Sequence, residues 1–275
     1  MYNYIKNFLQ AWADYPLEEG SVLAGRYSVI SPLGTGSYGI TYRCKDRLEE
    51  QDVAVKQAKP SKKGIGQQLL ACERDVLQAL EHPFIPACRG FFREQRSCWL
   101  VTDYVEGRTL EDLIFGEGQT FGEQDTVRWT LTLLERVQHV HERGYVHLDI
   151  RIPNVIISGG ELYLIDFGLA APLGSPLPSG HPHSKAGRDG MPRPASIPSD
   201  LADVGELMLF MLYSRFDPGR DAAEADWMDE LALSAQLKHI LLRLLGEDTP
   251  YLHTSELISD LQRSLPELKS LTDNA

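Results

Sequence analysis

A glycine-rich hexapeptide between two strand-like segments restricts the fold of this chain more than any other feature. Residues 34–39 read Gly-Thr-Gly-Ser-Tyr-Gly, and the alternating segments 26–30 and 40–44 flank them. Glycines lack a Cβ, so backbone N–H groups there can approach a phosphate closely. A dinucleotide-binding loop joins a strand to a helix, and a Walker loop requires a Gly-Lys-Ser/Thr sequence that this chain lacks. The pattern therefore predicts a phosphate-binding loop within a β-hairpin.

A lysine in an apolar strand supports this interpretation. Lys56 ends the run Val-Ala-Val-Lys, where a charged side chain has to reach a specific partner or solvent. The next segment, residues 67–81, has helical periodicity and carries Glu73, the candidate partner for the amine. Without Lys56, residues 34–39 would equally suit a flexible hairpin tip. The combination predicts a site for a pair of adjacent phosphate groups.

A second group of polar residues follows a long predicted helix at 123–143. Asp149 can accept a proton from a hydroxyl nucleophile, and Arg151 can lie over a phosphoryl group in transfer. Asn154 and Asp166 supply hard oxygen ligands of the kind that Mg²⁺ prefers. These residue types indicate metal-assisted phosphoryl transfer.

The order of patterns along the chain predicts an α+β fold. Strand-like segments around one helix occupy residues 26–104. Residues 172–198 are rich in proline and glycine, which excludes a regular element there. Apolar helical periodicity resumes near Leu201 and continues to about Leu268. We therefore predict a small β-rich lobe followed by a larger helical lobe.

Composition narrows the class of partner and the compartment. The 275 residues carry a net charge of −12, which disfavours non-specific binding to nucleic acid. We expect no membrane span and a cytoplasmic location, because no segment is long and apolar enough to cross a bilayer or resembles a secretory signal. The four cysteines form no CxxC pair and suit reduced thiols. Apolar residues at helical spacing near the N-terminus predict a short helix there, through Ile5, Phe8, Leu9 and Trp12.

In this order and spacing, the motifs resemble those of the eukaryotic-like (Hanks-type) Ser/Thr protein kinases of bacteria. The resemblance extends over roughly residues 26–265. Its motifs are GxGxxG, Val-Ala-Val-Lys, a helix glutamate, HxDxxxxN from His147 to Asn154, and Asp-Phe-Gly at 166–168. Each motif alone is weak, but all five in order are specific.

The resemblance implies a bilobal protein-kinase-like fold with a β-rich N-lobe, containing one main helix, and a larger α-helical C-lobe. Its expected divisions are an N-terminal extension or short helix (1–25), the N-lobe (26–104), the C-lobe (105–268) with a flexible proline-rich activation segment (172–198), and a C-terminal tail (269–275).

The resemblance also implies ATP and Mg²⁺ as cofactors and assigns the site residues. The catalytic residues would be Lys56, Glu73, Asp149 and Arg151, and the metal ligands Asn154 and Asp166. ATP would contact Gly34, Thr35, Gly36, Ser37, Tyr38, Gly39, Thr41, Ala54, Lys56, Thr102, Asp103, Val105 and Ile156. Thr102 would be the gatekeeper, and backbone groups of residues 103–105 would hold adenine. Asp200, at the start of a buried helix capped by Ser199, would tie down the catalytic loop.

The chain departs from the family pattern in ways that bear on control, turnover and docking. Leu148 replaces the arginine that normally pairs with a phosphorylated activation loop, so we predict activity that does not depend on such phosphorylation. Arg151 replaces the usual lysine, which predicts slower turnover. No Ala-Pro-Glu motif lies between Gly168 and Asp200, and no arginine lies at its expected partner site, residues 248–252. The paired loss indicates a rebuilt substrate-docking region.

Three functions remain open at this point. The leading one is an ATP- and Mg²⁺-dependent kinase that phosphorylates hydroxyls of an unidentified protein. A small-molecule phosphotransferase of the aminoglycoside or choline type shares HxDxxxxN and a later metal aspartate, often without the arginine or Ala-Pro-Glu. A nucleotide-binding pseudokinase scaffold is the third, although Lys56, Asp149 and Asp166 are all present.

Overall fold

A computed structural model describes residues 14–94, 97–177, 181–184, 194–216 and 226–272. These residues form two compact units. The first contains the chain up to Glu106 together with residues 167–170 and 181–182, and the second contains the remainder. The predicted N-terminal helix through Ile5 and Trp12 lies outside the described residues.

The first unit is built on a six-stranded antiparallel sheet with the strand order β1-β2-β3-β4-β6-β5. The strands are β1 (Val22–Leu23), β2 (Tyr27–Thr35), β3 (Gly39–Asp46), β4 (Asp52–Ala58), β5 (Cys88–Glu94) and β6 (Ser97–Asp103). A 3-10 turn at Pro60–Lys62 leads into helix α1 (Lys63–Ala79). The predicted helix at 67–81 is therefore confirmed, with an earlier start.

Apolar side chains fill one face of this sheet. Tyr42, Val55, Trp99 and Val101 are buried there in a common cluster, because alternate residues of a strand point to the same face. Leu17, from the segment before β1, packs against the cluster. The described part of the extension, residues 14–25, forms turns and the edge strand β1.

The second unit combines short strands with longer helices. Its strands are β7 (Arg108–Thr109), β8 (Tyr145–Val146), β9 (Val155–Ser158), β10 (Glu161–Leu164) and β11 (Ala171–Pro172). They pair as β10-β9-β7 and β11-β8. Its helices are α2 (Glu123–Glu142), α3 (Ile197–Tyr213), α4 (Trp227–Glu230), α5 (Ala235–Leu244) and α6 (Thr254–Thr272), with a π-type turn at Asp112–Gly116 and 3-10 turns at Ile152–Asn154 and Pro182–Ser184.

Helix α3 runs through the core of the second unit. It begins after Ser196, so the expectation that Ser199 is its cap is wrong: Ser199 lies inside the first turn and donates its hydroxyl to the Pro194 carbonyl at 2.8 Å. A Cβ at Gly205 would lie 2.7 Å from the Leu244 side chain, so glycine permits close packing of α3 against α5. The mixed α+β class predicted from the sequence is confirmed.

Neither membrane spans nor disulfides contribute to the fold within the described residues. Helices in that part of the chain fall short of the length and apolarity that crossing a bilayer requires. All four cysteines are free, and Cys44 and Cys98 are buried. Burial raises the pKa of Cys44 to about 12, so this thiol stays protonated at neutral pH.

Candidate active site

The glycine-rich loop connects β2 to β3, as the sequence predicts. The Gly36 N–H donates to the Gly39 carbonyl at 2.9 Å and closes the turn. A Cβ at Gly39 would lie 3.0 Å from the Gln57 carbonyl oxygen and 3.3 Å from Cε of Lys56. Glycine at this position therefore lets the loop backbone lie directly against the lysine stem.

Lys56 and Glu73 form an ion pair within the first unit. The Lys56 Nζ lies 2.8 Å from Glu73 Oε2, and the two side chains are 18% and 5% exposed. Glu73 lies on the buried side of α1 with Leu69, Leu70 and Val76. Packing of this helical face against the sheet brings the carboxylate to the strand that carries the lysine.

Strand register brings three further predicted ATP contacts to the Lys56 face of the sheet. Thr41 on β3 pairs with Lys56 on β4, and Ala54, two residues earlier, pairs with Thr102 on β6. All four residues are partly exposed, whereas Val53 and Val55, which alternate with Ala54 and Lys56 on β4, are buried. This face is open to a ligand, while the other face is core.

Asp103, in the predicted adenine-binding segment, makes hydrogen bonds to Arg89 and Ala87 through its side chain and its backbone N–H. Its carboxylate lies 2.5 Å from Arg89 Nε and accepts the Ala87 N–H at 3.0 Å. Its backbone N–H donates to the Ala87 carbonyl at 3.1 Å. Of its polar groups, the backbone carbonyl is the one suited to a ligand. Val105 lies two residues further along the chain and is partly exposed.

In the second unit, the buried Asp200 organises residues 147–154, the segment that corresponds to the family's catalytic loop. Asp200 is fully buried and accepts the His147 N–H at 2.8 Å and the Leu148 N–H at 2.7 Å. His141 Nε2 lies 2.9 Å from the same carboxylate, and His141 Nδ1 lies 2.7 Å from Thr254 Oγ1. Burial alone would raise the pKa of Asp200, but these hydrogen bonds outweigh it and hold the pKa below its ordinary value. Asp200 therefore stays ionised and fixes the backbone just before Asp149.

Both carboxylate oxygens of Asp149 are held from within the same loop. Arg151 Nε lies 2.6 Å from Oδ1, and Asn154 Nδ2 donates to Oδ2 at 3.0 Å and to the Asp149 carbonyl at 2.9 Å. The side chain of Asp149 is 17% exposed, and that of Arg151 is 62% exposed. Asn154 thus orients the carboxylate of Asp149, the predicted base, while the exposed side chain of Arg151 has room to move.

The predicted metal ligands lie close together at the end of β10. The Ile165 N–H donates to the Asn154 carbonyl at 3.0 Å, and Asp166 is the next residue. Asp166 has φ +61°, a left-handed conformation that costs a non-glycine residue roughly 1–2 kcal/mol. Because Asn154 Nδ2 donates to Asp149, its Oδ1 is the atom available to a cation. An amide and a carboxylate oxygen suit Mg²⁺. Ile156 follows on β9 and is partly exposed.

Leu148 occupies the place of the family's arginine, and its side chain is fully buried. Its backbone is left-handed, with φ +61°. Its N–H is held by Asp200, and its carbonyl lies 2.8 Å from His183 Nε2, which belongs to the proline-rich segment. This hydrogen bond joins the proline-rich segment to the loop that precedes Asp149.

An arginine near residues 248–252 was missed from the sequence, because Arg243 precedes that range on α5. Its Nε donates to the Thr249 carbonyl at 2.9 Å, and its guanidinium lies 3.7 Å from the centre of the Tyr251 ring. Glu256 at 2.5 Å and Asp260 at 3.1 Å supply the negative charge. Residues 248–252 themselves contain no arginine, as stated above, but Arg243 contacts their loop and takes its acidic partners from α6.

The first unit has the glycine-rich loop and the Lys56–Glu73 pair, which suit the binding of nucleotide phosphates. The second unit has Asp149 and the predicted metal ligands, which suit transfer of a phosphate to a hydroxyl. An α+β chain with both parts defines a phosphotransferase of the protein-kinase class. The model of the protein kinase domain family matches residues 27–184, more than half of the chain, and the chain belongs to this family.

Comparisons with individual proteins show which protein kinases this chain is similar to. The chain is 33% identical over 254 residues to the probable serine/threonine-protein kinase YbdM of Bacillus subtilis, covering 92% of this chain and 94% of that protein. It is 31% identical over 157 residues to the human serine/threonine-protein kinase Nek11. That alignment covers 54% of this chain and 24% of Nek11. The kinase domain of Mycobacterium tuberculosis PknI superposes with a TM-score of 0.67 over 90% of this chain and 99% of that domain, at 19% identity, a likeness of fold. The predicted bacterial Hanks-type Ser/Thr kinase assignment is confirmed.

Proposed function

We propose that this kinase is ATP- and Mg²⁺-dependent and transfers the γ-phosphate of ATP to Ser or Thr hydroxyls of a protein. The observation that carries the proposal is the catalytic loop, in which a buried, ionised Asp200 fixes the backbone and Asn154 orients the Asp149 carboxylate. The Asp200 hydrogen bonds also stabilise the fold, so the part specific to catalysis is the Asp149 carboxylate, which Asn154 and Arg151 orient.

The first unit holds the nucleotide. The amine of Lys56, kept in place by Glu73 at 2.8 Å, binds the α- and β-phosphates, and backbone N–H groups of residues 34–39 cover them. Thr41, Ala54 and Thr102 contact the adenine ring. The Asp103 carbonyl and the Val105 backbone pair with its polar edge, while the Asp103 side chain keeps the segment in place through Arg89 and Ala87.

The second unit carries out the transfer, and Ile156 adds an apolar contact for adenine. Asp149 orients the substrate hydroxyl and accepts its proton as the phosphoryl group moves. Asn154 and Asp166 hold Mg²⁺, which neutralises charge on the phosphates. Arg151 leaves its ion pair with Asp149 and turns to the transferring phosphate. Because guanidinium favours paired, planar contacts, we expect slower turnover than with lysine.

Activity does not depend on activation-loop phosphorylation in this proposal. Leu148 offers no charge to a phosphate, and the contact from His183 to the Leu148 carbonyl already joins the proline-rich segment to the catalytic loop. Phosphatase-treated protein should therefore retain its transfer rate.

Intact mass spectrometry tests the proposal. Phosphatase-treated protein is incubated with Mg²⁺ and ATP, with a mixed protein substrate, and in a parallel arm with kanamycin and choline. We expect phosphate on protein in the wild type, loss of transfer in Asp166→Asn and in EDTA, and normal transfer in Asp229→Asn, which alters an exposed aspartate far along the chain. Phosphate only on the small molecules would indicate the phosphotransferase alternative. Nucleotide binding without any transfer would indicate a scaffold.

A further inference from the structure

Helix α1, which carries Glu73, has an intrinsically weak beginning. Gly64 and Gly66 lie in its first turn, and glycine is a poor helix former. Its N-cap is Lys62, which makes no side-chain capping hydrogen bond, and the first turn contains no acidic residue. A lysine there also opposes the positive end of the helix dipole. The helix therefore lacks the local features that normally hold a first turn together.

A residue far away in sequence provides what the helix lacks. The Ser61 N–H donates to Asp14 Oδ1 at 3.0 Å, and the Ser61 hydroxyl donates to Asp14 Oδ2 at 2.5 Å. Ser61 lies in the 3-10 turn at Pro60–Lys62, immediately before α1. Asp14 thus brings a carboxylate to the start of the helix. It lies outside residues 27–184, the part that matches the protein kinase family model.

Asp14 is itself anchored to the sheet. The Leu17 N–H donates to the Tyr42 hydroxyl at 3.2 Å, and the Leu17 side chain packs on the buried cluster. The Gly20 N–H donates to the Val29 carbonyl at 2.8 Å, and β1 pairs with β2. The segment 14–23 therefore connects the sheet, which carries Lys56, to the start of the helix that carries Glu73.

We infer that Asp14 is a positioning residue, which holds the start of α1 through Ser61 so that Glu73 meets Lys56. The inference rests on the proposed function, in which that ion pair holds the phosphates of ATP. Loss of Asp14 frays the glycine-containing first turn. The fraction of molecules with Glu73 at 2.8 Å from Lys56 then falls, because Glu73 lies only two to three turns further along.

Hydrogen exchange and steady-state kinetics on the full chain test this role. The variants are Asp14→Ala, Asp14→Asn as the conservative rescue, and Glu19→Ala as a control at an exposed acidic residue of the same segment. The exchange readout is the set of amides at residues 67–71, which bond to carbonyls of the first two turns of α1. Amides of α3 report on the stability of the second unit.

In Asp14→Ala we expect exchange at 67–71 to rise roughly three- to tenfold, the loss typical of a helix cap, with α3 unchanged. The kcat/KM for ATP should fall by a similar factor. Asp14→Asn should stay within about twofold of the wild type, because its Oδ1 can accept the Ser61 N–H while its Nδ2 donates to the Ser61 hydroxyl oxygen. Glu19→Ala should match the wild type.

Several outcomes would overturn the inference. Unchanged exchange at 67–71 in Asp14→Ala would show that the contact does not hold the helix. An equal rise in α1 and α3 would assign Asp14 to general stability, and faster exchange with unchanged kcat/KM would separate the helix start from catalysis. If the wild type transfers no phosphate, the proposed function fails, whereas the exchange measurement still decides whether Asp14 holds α1.

Discussion

Replacing Leu148 by arginine, the residue usual in the family, is predicted to destabilise the protein and not merely to add a partner for a phosphate. The Leu148 side chain is fully buried. Loss of a buried leucine costs about 3 kcal/mol, and an unpaired guanidinium in its place costs about 3 kcal/mol more. The sum approaches the entire folding free energy of many domains, which is about 5–15 kcal/mol.

Urea unfolding at pH 7 measures this difference, with Leu148→Met as the matched control. Methionine keeps the apolar contacts, so we expect a loss below about 1.5 kcal/mol. An arginine variant within 1 kcal/mol of the wild type, with full transfer activity, would refute the reasoning, because it would show that the side chain has a route to solvent or an anionic partner.

The backbone at Leu148 supplies a second comparison at the same position. Glycine usually destabilises a regular element by about 0.5–1 kcal/mol relative to alanine. With φ at +61°, the order should reverse, because only alanine retains the left-handed penalty of roughly 1–2 kcal/mol. Leu148→Gly should therefore unfold at higher urea than Leu148→Ala, and the opposite order would contradict the strained backbone.

Three further substitutions probe the site and its support. Glu73→Gln removes the charge that holds Lys56, and we expect kcat/KM for ATP to fall roughly 10- to 100-fold, the value of a charge-assisted hydrogen bond, with circular dichroism unchanged. Asp200→Asn should lower unfolding free energy at pH 7 by about 3 kcal/mol, since the amide keeps one acceptor oxygen and turns its NH2 group towards a buried N–H donor that then has no acceptor. The pKa of Asp200 is lower in the folded protein than in the unfolded chain, where it is about 3.9. Its contribution to the free energy of unfolding is therefore complete above about pH 3.9 and is lost as the pH falls through the folded pKa. The gap between wild type and variant should therefore shrink below about pH 4, and a constant gap would contradict the assignment. Arg243→Lys should cost about 1–2 kcal/mol in thermal unfolding, because lysine cannot both stack on Tyr251 and bridge two carboxylates.

The chemistry-bearing segments could be predicted from the sequence because their signals are local. Lys56 and Glu73 each lie in an element of clear periodicity, and their pairing follows from one strand and the next helix. The catalytic loop is similar, since Asp149 and Asn154 are five residues apart and need no distant contact to meet.

Features that depend on tertiary contacts escaped prediction. Strand β5 has no clear signal in the sequence, because its charged residues, such as Arg89 and Arg93, interrupt the alternation that marks a strand. The Asp14–Ser61 contact spans 47 residues, and no sequence pattern links its two ends. The misassigned cap at Ser199 shows the usual uncertainty of a few residues at a helix boundary.

The Arg243 cluster has a consequence for how the sequence of this kinase can vary. The guanidinium obtains its counter-charges from Glu256 and Asp260, on the helix that follows its own. Two neighbouring helices and their connecting loop thus stabilise one another without a glutamate from the segment between Gly168 and Ser199. Because no residue of that segment is needed to pair with Arg243, we expect its length and composition to vary among homologues. Substitutions at Arg243, Tyr251 and Asp260 should occur together, because the three side chains contact one another.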